Sequence, residues 1–192
     1  MPATLQEIEA HAEGIFDVAP QDDWQAITQH TTAIAKAWAA YRSQAAADRV
    51  PQQSQDALAL ALERLQKAEA AKDKIGALRA SNELMFAAFD VYEVYHPAVP
   101  ADIGRLDARG QQLIINLLAD DLASAGKSLA QTKLIWARLK PVVLTKQGTD
   151  AAAKYDASLQ LQTDAMTAKD LVRLKTGAQQ GLDIVDVMEK LF

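Results

Sequence analysis

Asp90, Glu93 and His96 follow one another at steps of three residues near the end of a helical stretch. An α-helix repeats every 3.6 residues, so Glu93-Val94-Tyr95-His96 sets a carboxylate and an imidazole on successive turns of one face. Those donors suit iron, manganese or zinc when a coordination position stays open. Asp90, Glu93 and His96 are therefore the candidate metal ligands, with Asp120, Asp186 or Glu189 available to complete the set from another helix. A two-metal carboxylate centre needs a second Glu-x-x-His and bridging glutamates. Only one such motif is present. The same His96, beside Pro97, also suits a helix C-terminus, where a cation is favoured.

Other chemistries find less support. The histidines are His11, His30 and His96, and there is no cysteine, which removes disulfides, zinc–thiolate sites and thiol catalysis. Neither a Gly-x-Ser-x-Gly elbow nor a glycine-rich phosphate loop occurs. A non-covalent haem would need His30 with Met85 or Met188, yet methionine at helical spacing is far more often packing. With no recognisable catalytic constellation, the expectation is a non-enzymatic binding or protein-interaction module. The alternative is a metal-binding helical protein using Glu93 and His96. No cofactor is expected beyond that possible metal.

These residues must be positioned by helices. Alanine contributes 38 of 192 residues, against 8 glycines and 6 prolines, a balance that favours long helices. The breakers fall at Pro51, at Pro97 and Pro100, and between Pro141 and Gly148. They leave segments 3–44 (interrupted near Pro20), 53–95, 101–140 and 149–191. Trp24, Ile27, Thr31, Ile34, Trp38 and Tyr41 alternate spacings of three and four, as do Ile75, Leu78, Asn82, Met85, Phe89, Tyr92 and His96. Leu118, Leu122, Ala125, Leu129, Thr132, Trp136, Leu139 and Val143 repeat the pattern, which is that of helices packed in a bundle. Asp22 with Gln25 resembles a capping box that restarts a helix after Pro20.

The two halves echo each other. Asp22-Asp23 returns as Asp120-Asp121 and Trp38 as Trp136, both at an offset of 98. Ala71-Lys72-Asp73 returns as Ala168-Lys169-Asp170 at 97, and Asp90-Val91-Tyr92-Glu93 as Asp186-Val187-Met188-Glu189 at 96. The expected fold is all-α: an up-and-down four-helix bundle of long helices, built from two duplicated hairpins, about 1–97 and 98–192, plus a short N-terminal helix. It would form one domain over 1–192. Helices continuous through Ala71–Asp73 and Ala168–Asp170 are favoured over shorter ones, because neither place holds Gly or Pro. Trp38 and Trp136 are expected in the core, and Asn82 in a register-setting seam position.

The formal charge of −5 is local: residues 1–23 carry −6 and the remainder +1. No basic cluster with aromatic platforms appears, so nucleic acid is not an expected partner. No apolar run is long enough to span a bilayer. The opening Met1-Pro2-Ala3-Thr4 has no signal-peptide pattern, while absent cysteine and abundant alanine and glutamine lean towards a bacterial periplasmic or otherwise exported protein, with the cytoplasm as alternative. The protein partner or small ligand stays open at this level.

Overall fold

The computed structural model describes residues 1–192 and is all-helical, with no strand. Eight helices follow in order: α1 (Ala3–Val18), α2 (Trp24–Ala47), α3 (Gln52–Ala71), α4 (Lys74–Tyr92), α5 (Ala101–Leu118), α6 (Leu122–Thr145), α7 (Thr149–Ala168) and α8 (Leu171–Glu189). Short 3₁₀ turns follow α1 (Ala19–Gln21) and α4 (Glu93–Tyr95).

Each expected long segment is thus two helices. The four breaks share one device. Asp22, Lys72, Asp120 and Lys169 adopt left-handed backbone, and the aspartate after each one caps the next helix. Asp23 accepts from the Ala26 N–H, Asp73 from Gly76, Asp121 from Ser124 and Asp170 from Arg173, at 2.9–3.0 Å. At Lys72 the closing bonds run from the Asp73 N–H to the Ala68 carbonyl and from Lys72 to Glu69. This is the pattern that satisfies the last carbonyls of a helix. A non-glycine residue in left-handed backbone costs about 1–2 kcal/mol, and an aspartate cap returns about 0.5–2 kcal/mol. Continuity through 71–73 and 168–170 is therefore corrected: a well-capped break needs neither Gly nor Pro. At the first break the cap is Asp23, and not the expected Asp22.

Pro141 is a correction of the opposite kind. It lies inside α6, which runs on to Thr145. Pro141 and Ala137, whose carbonyl loses its partner, both lie on the exposed side of the helix, where water can take that carbonyl.

The chain divides into two compact units, Met1–Pro97 and Ala98–Phe192. Within the first, α1 packs on α2 and α4, and α3 on α2 and α4. Its core holds Leu5, Ile8 and Ile15 of α1, Ile27, Ile34 and Tyr41 of α2, Leu58 and Leu65 of α3, and Leu78, Leu84 and Met85 of α4. Trp38 is buried with them, its ring 6.1 Å from that of Tyr41.

The second unit packs in the same order, α5 on α6 and α8, α7 on α6 and α8. Trp136 is buried and its ring packs at a tilt against Tyr155, centroids 4.7 Å apart. Its interior is more polar, burying Asp107, Gln111, Asn116, Ser128, Thr132, Ser158 and Gln162, where the first unit buries Thr31, Ser81 and Asn82. Gln111 donates to Asp107 at 2.7 Å, Asn116 to Ser128 at 3.2 Å, and Gln162 to the Gly177 carbonyl at 3.2 Å. The last bond depends on close approach. A Cβ on Gly177 would stand 2.9 Å from Gln162 Cγ.

Candidate functional site

The sequence-derived ligands do not form a three-residue site. Helix α4 ends at Tyr92, so Asp90 lies in the α-helix, Glu93 opens the 3₁₀ turn, and His96 closes that turn in left-handed backbone. The left-handed backbone at His96 ends the helix and takes that residue off the i, i+3, i+6 stripe, and all three residues are exposed. Asp120, Asp186 and Glu189 belong to the second unit. No group of three or more His, Asp or Glu side chains is placed to hold a metal ion, these included. Met85 and Met188 are buried in α4 and α8, in separate units.

Three polar constellations replace that triad. At one end of the first unit, Tyr95 Oη donates to Asp48 Oδ2 at 2.6 Å and lies 3.0 Å from the buried Tyr41 hydroxyl. Burial raises the Tyr95 phenol far above its ordinary range, and its bonds to Asp48 and Tyr41 push the same way. Between α1 and α2, the Nδ1 atoms of His11 and His30 are 3.1 Å apart. In the second unit, Asp156 accepts from Trp136 Nε1 at 2.7 Å and from Lys140 Nζ at 2.6 Å. Partial burial alone would raise that carboxyl, but the Lys140 and Trp136 bonds outweigh it and hold Asp156 below the usual range.

A concave surface with apolar walls lies elsewhere in the second unit. Leu117 and Leu118, at the end of α5, face Leu171, Val172, Lys175 and Thr176 of α8 across a groove of about 530 Å³. Its apolar walls are open: Leu118 is 43% exposed, Leu171 45% and Val172 78%. Gln179 and Asp183, one and two turns further along α8, extend the lining. The α-helical period places 171, 175, 179 and 183 along one edge of α8.

The spacing places Leu118 at the head of a seam that runs on through Leu122 to Val143 from a single helical segment 101–140. Instead α5 ends there and the side chain faces the groove, because the seam starts only after the Asp121 cap. Leu171 and Val172 gave no sequence signal of their own. A Leu-Val pair directly after a capping Asp170 reads as an ordinary first turn, and exposure depends on what packs over it.

The matching place in the first unit differs in chemistry. Counted from the capping aspartates, Lys74 stands where α8 has Leu171, and Lys74 Nζ bridges Asp22 at 2.7 Å. An ion pair joins the helix ends in one unit, and open leucine and valine occupy them in the other. Compared with known proteins, the chain matches no family model, no curated protein and no solved structure. No helix is long and apolar enough to cross a membrane.

Proposed function

We propose that this chain is a non-enzymatic helical interaction module whose α5–α8 groove receives the apolar face of an amphipathic helix from a partner protein. The observation that carries the reading is the open Leu118–Leu171–Val172 wall in a groove of about 530 Å³. A groove with an open apolar wall and a polar rim suits the apolar face of an amphipathic helix. The rim adds polarity: Lys175 and Asp183 lie eight residues apart on α8, about 12 Å at the helical rise. A partner helix with an acid opposite Lys175 and a base two turns away opposite Asp183 matches it in charge and in spacing.

The same reading takes the two units as four-helix bundles descended from one duplicated ancestor, with the groove specialised in the second copy. Equal lengths support it: α2 and α6 have 24 residues each, α3 and α7 20, α4 and α8 19. The four aspartate caps at matched places support it as well. A companion proposal, a periplasmic or otherwise exported location in a bacterium with the cytoplasm as alternative, is testable by cell fractionation.

Fluorescence anisotropy of a labelled synthetic helix tests the groove. The probe carries a leucine stripe with an acid and a base two turns apart, and a scrambled peptide of equal composition serves as control. Saturable binding is expected to weaken at least about tenfold, or about 1.4 kcal/mol, in Val172→Asp and Leu118→Asp. Leu134, 68% exposed and outside the groove, supplies the neutral control Leu134→Asp. Equal binding of the scrambled peptide, or equal loss in Leu134→Asp, overturns the reading.

A further inference from the structure

We propose that His11 and His30 form a two-imidazole chelate for a late first-row divalent cation, a site in the first unit that is independent of the groove. Their Nδ1 atoms stand 3.1 Å apart with ring planes at 64°, His11 projecting from α1 and His30 from α2. Imidazole nitrogen binds such metals at about 2.0–2.1 Å, so two donors on one ion are about 2.9 Å apart at a right angle and about 3.4 Å apart at the tetrahedral angle. The observed separation lies between these limits. Zinc, copper and nickel all accept imidazole in one or other geometry.

The placement depends on Gly14. A Cβ there would overlap the His30 ring, so the glycine lets the imidazole lie against the backbone of α1. Both rings are only partly buried, which leaves a path for the ion and room for water to fill the remaining positions. Two protein donors make a weaker site than a closed structural one, and an open one.

A hydrogen bond between the rings does not by itself call for histidine. Counted from the Asp23 and Asp121 caps, Ser128 of the second unit takes the position of His30. There the joint between α5 and α6 is made by neutral groups, Asn116 donating to Ser128 at 3.2 Å. The first unit has instead two converging metal-binding nitrogens. Of the neutral pair, one ring carries its proton on Nδ1. On binding, that proton passes through water to the Nε2 of the same ring, so both Nδ1 lone pairs meet the cation, both rings stay neutral and no net proton is released.

The test is a Zn²⁺ titration of the chelator-treated full chain, ¹⁵N-labelled and followed through its imidazole nitrogens. A saturable one-to-one shift of the His11 and His30 Nδ1 signals, with His96 unmoved, is the expected result. No shift, or equal movement of all three histidines, overturns the proposal. His11→Gln and His30→Gln are expected to abolish one-to-one binding measured by calorimetry, while His96→Gln leaves it intact; binding retained in the first two overturns it. Should either variant fail to fold, the spectrum of the unaltered chain still decides.

Discussion

Tyr95 donates its phenolic hydrogen to Asp48 at 2.6 Å, joining the turn after α4 to the residue that closes α2. The two residues are 47 apart in sequence, and the bond fastens one end of the first unit. A hydrogen bond to a carboxylate contributes more than a neutral one, less so where Asp48 meets solvent. Tyr95→Phe is expected to lower stability by about 1 kcal/mol in urea unfolding. An unchanged midpoint would mean the bond is absent in solution.

The tyrosines supply a second, spectroscopic expectation. Burial raises the phenols of Tyr41, Tyr95 and Tyr155, and the last is raised further by Asp107. Absorbance titration at 295 nm is expected to show at most one of the four tyrosines ionising near the ordinary value of 10.0 before the chain unfolds. Two or more ionising there in the folded chain would contradict the buried positions.

Acid sensitivity follows from the histidine pair. Burial and the neighbouring His11 hold His30 below its ordinary value of 6.5, against the opposing pull of Asp17. The unfolded chain therefore takes up the proton first. This contribution to stability is whole above 6.5 and is lost as pH falls through that value towards the lower folded one. Urea midpoints at pH 7.5 and 5.5, measured with chelator present, are expected to differ more for the parent than for His30→Gln. A parent and variant with the same pH dependence would remove His30 from the account.

Lys72 and Lys169 hold left-handed backbone, with φ of 50° and 54°. Glycine adopts that region without the Cβ penalty, so Lys72→Gly and Lys169→Gly are each expected to stabilise by about 1 kcal/mol. Thermal melts of the single and double variants check this. Loss of stability in both would show that the lysine side chains hold contacts worth more than the strain.

Gly177 gives the converse case. Its added Cβ meets Gln162 Cγ at 2.9 Å and the Gln162 backbone nitrogen at 3.3 Å. Gly177→Ala is expected to cost about 1–3 kcal/mol, despite alanine's better helix propensity. Denaturant unfolding reads the sign directly.

Helix was legible wherever apolar residues kept a spacing of three and four, since Ile27, Thr31, Ile34, Trp38 and Tyr41 are all buried on α2. The helix ends were not. Glycine and proline are the usual punctuation, yet none of the seven left-handed residues is glycine, and Pro141 continues its helix. The repeated Asp-Asp and Lys-Asp pairs marked the breaks all along, as a strained residue followed by its cap. The histidine pair left no trace because its members are 19 residues apart across the Pro20 turn. Nor could periodicity find the groove, which joins the last turn of α5 to the first turns of α8. Conversely, the regular spacing of Asp90, Glu93 and His96 presumes a helix that runs through residue 96, whereas the chain turns into left-handed backbone there.

The brief turns between helices bear on how fast the chain reaches its fold. Because α1 meets α2, α2 meets α3 and α3 meets α4, most native neighbours are close in sequence, and only the α1–α4 closure spans a whole unit. Helical proteins of such local topology cross their folding barrier in about microseconds to milliseconds. The second unit has the same wiring, with α5–α8 as its one long closure. That closure also assembles the Leu118–Leu171–Val172 wall, so the proposed recognition surface exists only once the pairing most distant in sequence within its unit has formed.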